Sequence, residues 1–121
     1  MPITEGDLSL PGGWHANIEK SKDKARKMLK KVAAIEINNS VMIGFIDEVS
    51  VDKLFRLKYP FCKIMLKNVK KYNMNEKLET KIDEQVLFVN KPEMILDLKE
   101  LSKRFPNIFE DVHVEMRKGV Y

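Results

Sequence analysis

The chain has 121 residues, 44% of them hydrophobic and 33% charged, with a net charge of +4. That length fits one domain rather than two, and the composition is that of a folded globular protein, which excludes a disordered chain. A single cysteine, Cys62, excludes an intramolecular disulfide and a cysteine-rich zinc site, and no apolar run approaches the roughly 20 residues of a membrane span.

Residues 1–13 read as a flexible arm, because Pro2, Gly6 and the run Pro11-Gly12-Gly13 break regular structure. The arm carries Glu5 and Asp7 and lacks the apolar stretch of a signal peptide, so a cytoplasmic location is expected. Residues 14–121 form the expected single α+β domain. Asn17 is a candidate helix cap, and Ile18, Ala25, Met28, Leu29 and Val32 then fall on one helical stripe. Residues 32–37 are short, apolar and compatible with a strand. Asn38-Asn39 tolerates the positive φ of a two-residue hairpin turn. Residues 40–49 are apolar on both sides at Val41, Met42, Ile43, Phe45 and Ile46, which predicts a central strand covered on both faces, with Phe45 buried. Gly44 inside it predicts a bulge or a close backbone approach.

Ser50 is positioned to cap a short helical turn through Phe55, which Tyr59-Pro60 would end. Residues 61–72 predict a strand with Cys62, Ile64 and Leu66 on one face and Phe61, Lys63, Met65 and Lys67 on the other. The second face is mixed basic and apolar, so it is expected to be partly exposed. Cys62 then reads as a small core hydrophobe. Residues 75–85 fit a helix through Leu78, Ile82 and Val86, although Val86 to Val89 also suits a strand. Asn90-Lys91-Pro92 predicts a turn. Asp97 with Glu100 has capping-box spacing for a short helix that Pro106 would stop. Val112, Val114 and Met116 alternate as a last strand, and Lys118-Gly119 suggests a closing turn. The predicted fold class is α+β, with a small mixed or antiparallel sheet, or a barrel-like sheet, packed with three or four helices.

Motifs for catalysis are weak. His15 and His113 lie far apart and form no His-x₃-His or Glu-x-x-His pair, so no metal role is expected. No serine sits in a Gly-x-Ser-x-Gly context, and the five glycines make neither a dinucleotide nor a Walker A loop. Asp47-Glu48 together with Glu79-Thr80-Lys81 resembles the acidic set of a metal-dependent nuclease only if folding gathers the three carboxylates around one point. No catalytic residue, metal or cofactor is assigned.

The basic residues carry more information. Between residues 17 and 32 stand seven cations, opposed only by Glu19 and Asp23, so the basic character of the chain is local. Lysines at 63, 67, 70 and 71 form a second group. Cations in such clusters displace counterions from nucleic-acid phosphates, and neighbouring aromatics stack on bases. The candidate binding residues are Lys20, Lys24, Lys27, Lys31, Lys63, Lys67 and Lys70, with Trp14 and Tyr59 as base contacts. Lysines alone do not distinguish DNA from RNA. The same basic helix suits an adaptor or inhibitor that docks an acidic protein, and a solvated helix face has the same composition.

The stretch Ile43-Gly44-Phe45-Ile46-Asp47-Glu48-Val49, followed by Tyr59-Pro60-Phe61-Cys62-Lys63-Ile64-Met65-Leu66-Lys67-Asn68-Val69, resembles the core of EVE-type domains of the PUA-like group. The resemblance implies a small barrel-like sheet with flanking helices and a pocket that reads a nucleobase. The basic helix expected after Asn17 departs from that family, which usually opens with a tryptophan-containing strand.

Overall fold

The computed structural model describes residues 14–53 and 60–119. The arm of residues 1–13 and the end of the helical turn expected to run to Phe55 lie outside the described residues. The first helix, α1, spans Trp14–Lys27. It starts before Asn17, so Asn17 is not its cap; the Asn17 carbonyl instead accepts the Ser21 hydroxyl at 2.8 Å. Ile18, Ser21 and Ala25 are its buried stripe, continued by Met28 just past its end, while Leu29 is exposed. The helix ends short of Val32 because Lys30 takes the left-handed conformation (φ 64°). There the chain runs beside Ile46, whose carbonyl accepts the Lys30 N–H and whose N–H donates to Lys31.

Strands β1 (Val32–Ile37), β2 (Ser40–Lys53), β3 (Pro60–Asn73) and β4 (Leu78–Val89) follow as an antiparallel meander, and the two-residue β5 (Ile95–Leu96) returns to pair with β1. The order is β4-β3-β2-β1-β5, an open antiparallel sheet that does not close into a barrel. Asn38 and Asn39 both have positive φ in the β1–β2 turn, as the sequence predicts. A 3-10 turn, Pro92–Met94, leads into β5, and helices α2 (Leu98–Arg104) and α3 (Pro106–Arg117) complete the fold.

Three expectations are corrected. Ser50 and its neighbours through Lys53 extend β2 rather than starting a helix. Residues 75–85 are not helical: from Leu78 onward they form β4, because spacings of four and eight residues satisfy a two-residue period as well as a helical one. Val112, Val114 and Met116 lie in α3, where Ile108 and Val112 are buried one helical turn apart. α2 ends at Arg104, before Pro106, as expected, and Pro106 then opens α3 at a first-turn position, where proline loses no helical hydrogen bond. The Asp97–Glu100 capping box of α2 is formed in full.

Helices cover both faces of the sheet. On the first face Ala25 and Met28 pack on Ala33, Ile35, Met42, Ile46, Ile64 and Leu66. On the second, Leu101, Ile108 and Val112 pack on Ala34, Val41, Ile43 and Tyr72. Burying each large aliphatic side chain contributes roughly 1.5–3 kcal/mol. β2 is therefore the central strand expected, although Phe45 is half-buried rather than buried. The β2–β3 register shifts at Gly44, where an added Cβ would lie 2.7 Å from the Lys67 carbonyl oxygen. It shifts again between Ile46 and Glu48, at Asp47. On β3, Asn68 has φ 54°, and the residues after it change faces: Val69 points to the first core, Tyr72 to the second. Among the described residues no helix is long and apolar enough to cross a membrane.

Candidate nucleic-acid interface

Lys20, Lys24 and Lys27 lie along one side of α1, because steps of four and seven residues nearly close whole helical turns. Their roles differ. Lys24 Nζ donates to Glu100 Oε2 at 3.1 Å and to the Pro92 carbonyl at 3.3 Å. It clamps α1 to α2 and the 3-10 turn, and it is only partly exposed. Lys20 and Lys27, with Lys31 in the connection to β1, are exposed and have no ion pair to another described residue.

On β3, Lys63 and Lys67 share the second face with Phe61 and Met65, as expected. Phe88, opposite Lys63 on β4, meets the Phe61 ring edge to face at 6.3 Å. Phe61, Lys63, Met65, Val86 and Phe88 are all half-buried, and Lys67 is exposed. Lys70 does not join this surface. The change of face at Asn68 turns it under α3, where it is 6% exposed. Its ammonium lies 2.8 Å from Glu115 Oε1 and 3.7 Å from Asp111 Oδ2, so it anchors α3 to β3. Tyr59 lies outside the described residues, and of Trp14 only the backbone, at the start of α1, is described.

Asp47, in the second bulge, joins the two basic groups. Its Oδ1 accepts from Lys30 Nζ at 2.6 Å, and its Oδ2 lies 3.6 Å from Lys67 Nζ. The Lys30 hydrogen bond, with the charges of Lys30 and Lys67, holds the Asp47 carboxyl below its ordinary range. Beside this junction a groove of about 600 Å³ opens between the end of α1, the β1–β2 pair and helices α2 and α3. Met28, Val32, Phe45, Leu98 and Met116 form its apolar lining, and Lys31, Lys99 and Asp97 complete it. Phe45 is the Cα partner of both Val32 and Lys67, so the groove and the strand lysines are contiguous.

The acidic residues that a nuclease would need are dispersed. Asp47 is engaged with two lysines, Glu48 pairs across from Met65, and Glu79 lies far along β4, beside the Lys71–Thr80 pair. Among the described residues no group of three His, Cys, Asp or Glu side chains is placed to hold a metal ion. His113 stacks on Phe109 within α3 at 5.6 Å. Cys62 is fully buried, and burial pushes its thiol up to about 11 against the opposing charges of Arg26 and Lys22.

Sequence reasoning grouped Asp47 with Glu48 and Glu79 rather than with Lys30 and Lys67, and it placed Lys99, Leu98 and Met116 at no site. Their grouping depends on contacts between distant segments, and no local spacing announces it. The chain matches no family model, no curated protein and no solved structure.

Proposed function

We propose that the protein is a non-enzymatic nucleic-acid-binding domain, cytoplasmic in location, whose exposed lysines act as one basic track. The observation that carries this reading is the Asp47 junction. By contacting both Lys30 and Lys67 it ties the lysines at the end of α1 to those of β3 around a single apolar groove. Lys20, Lys27 and Lys31 approach the groove from α1, and Lys67 and Lys63 leave it along the sheet. Cations spaced along a surface exchange condensed counterions for phosphates, which gives affinity with little dependence on sequence. The half-exposed rings of Phe61 and Phe88 and the Met65 side chain offer apolar surface between those cations, as single-strand-binding surfaces do. The likeness of the segment from Ile43 to Val69 to EVE-type domains points to the same class of ligand.

The test is binding of fluorescent DNA and RNA across a salt series. The Lys20→Gln, Lys27→Gln and Lys31→Gln triple variant is expected to weaken binding to every sequence alike. It should also flatten the log–log salt dependence by about 0.7–0.9 for each phosphate that is no longer neutralised. Lys24→Gln is expected to lower the melting temperature, because it removes the hydrogen bonds to Glu100 and Pro92, and to leave the salt slope nearly unchanged. Wild-type protein that binds no nucleic acid at low salt, but captures one acidic protein through the same lysines, would replace this reading with that of an adaptor.

A further inference from the structure

We propose that the groove beside Asp47 binds an amphipathic carboxylate: a free molecule of the fatty-acid class, with an unbranched alkyl chain and one anionic end. This is a function beyond the nucleic-acid reading and does not depend on it. The groove volume of about 600 Å³ falls within the roughly 300–1,000 Å³ of pockets that hold small molecules. Its floor is made by Met28, Val32, Phe45, Leu98 and Met116, and none of these side chains offers a strong hydrogen-bond donor or acceptor. The backbones of Val32 and Phe45 are already paired with each other across β1 and β2. An alkyl chain has no polar group to satisfy on such a floor. A peptide strand, or a ring with hydrogen-bonding edges, would leave its own donors and acceptors unmet there. Met28 and Met116 are unbranched and flexible, so their side chains adapt to the course of a chain laid against them.

The charges at the rim call for an anionic end. Lys31 enters from the α1 side and Lys99 from the first turn of α2, and both are exposed. Neither ammonium forms an ion pair with another described residue, because the nearby carboxylates are engaged elsewhere. Asp97 Oδ1 accepts the Glu100 N–H at 2.8 Å as the cap of α2, and Glu100 Oε2 holds Lys24 at 3.1 Å. Asp47 Oδ1 holds Lys30 at 2.6 Å. Lys31 and Lys99 therefore stand beside an apolar floor with their charge uncompensated by the described residues. A ligand with its charge at one end and apolar surface along the rest meets both features at once. A cationic amphiphile of the same length would be repelled from the same rim.

The experiment is calorimetric titration of the whole chain with octanoate, decanoate and dodecanoate, each kept below its micelle concentration. Affinity should rise about fourfold for each methylene added, the effect of moving one CH₂ group from water to apolar surface. Dodecanoate should bind about tenfold or more tighter than dodecylammonium, whose alkyl chain is the same. Lys99→Glu should weaken dodecanoate and strengthen dodecylammonium. That variant keeps the fold, because Lys99 is exposed and an acidic residue suits the first turn of a helix. Met116→Gln should reduce the gain per methylene, and Leu98→Gln serves in its place if Met116→Gln lowers the melting temperature. Affinity indifferent to chain length, or equal for the two amphiphiles of opposite charge, overturns the proposal. A Lys99→Glu variant that binds dodecanoate as wild type does overturns it too. So does binding confined to anionic lipid vesicles, with none to monomeric dodecanoate. Lys99 is not part of the basic track, so none of these outcomes bears on nucleic-acid binding, whose own failure is read from the salt series.

Discussion

The ammonium of Lys70 and the carboxylate of Glu115, 45 residues apart in the chain, lie 2.8 Å from each other beneath α3. Asp111 stands 3.7 Å from the same ammonium and accepts a hydrogen bond from the Tyr72 phenol. The two carboxylates of α3 thus meet two polar groups of β3, and these contacts fix the helix against the apolar patch of Val41, Ile43 and Tyr72 on the second face.

This anchor makes stability depend on pH. The Lys70 hydrogen bond, followed by its charge, holds the Glu115 carboxyl below its ordinary value of 4.5. Because the folded value is the lower one, the stabilisation is complete above the unfolded value and is lost as pH falls through the folded value. Glu115→Gln is expected to melt below wild type at neutral pH and to converge on it in acid. Melting temperatures measured from neutral pH down through the carboxylate range check this. A constant offset between the two curves would show that Glu115 acts through packing rather than charge.

Gly44 is held by space rather than by backbone angle. A Cβ there would sit 2.7 Å from the Lys67 carbonyl oxygen and 3.3 Å from both Leu66 Cβ and Val69 Cγ2. Backbone on β3 cannot give way without disturbing the bulge. Gly44→Ala is expected to destabilise the fold by about 1–3 kcal/mol, as overpacking does. The urea midpoint measures it, and an unchanged midpoint would mean that β3 moves freely past β2.

Cys62 should be chemically silent in the folded protein. Its thiol, raised to about 11 from an ordinary 9.0, yields about a hundredfold less thiolate near neutral pH, and it has no exposed surface. A thiol-reactive dye is expected to label Cys62 only at the rate of unfolding, and fully in denaturant. Rapid stoichiometric labelling of native protein would contradict both its burial and its raised pKa.

Features set by neighbouring residues are legible in the sequence. Asn38-Asn39 marks the hairpin, Gly44 the bulge and close approach, and Asp97 with Glu100 the start of α2. The alternation of Cys62, Ile64 and Leu66 marks the buried face of β3. Patterns that satisfy two periods mislead. Leu78, Ile82 and Val86 suit a strand as well as a helix, and pairing with β3 decides the matter. Val112, Val114 and Met116 alternate, yet Ile108, Phe109, Val112 and Met116 form a helical stripe against the core while Val114 is exposed. Strict alternation would set Lys70 on the face opposite Lys63 and Lys67; the left-handed Asn68 returns it to their face, where α3 covers it, and neither the turn at Asn68 nor that cover shows in the local sequence. The Asp47 junction and the groove need contacts between segments that only the folded chain brings together.

The open sheet has two edges, and each is ill suited to accept a strand from another molecule. On one side β5 contributes only two residues, Ile95 and Leu96, too few to template a partner. On the other, the first half of β4 is charged and exposed, with Glu79, Lys81, Asp83 and Glu84 along it. An incoming strand would desolvate charges of both signs without a fixed register to pair them. Copies of the protein brought to high local density would meet these blunted edges and crowd without growing into a continuous sheet.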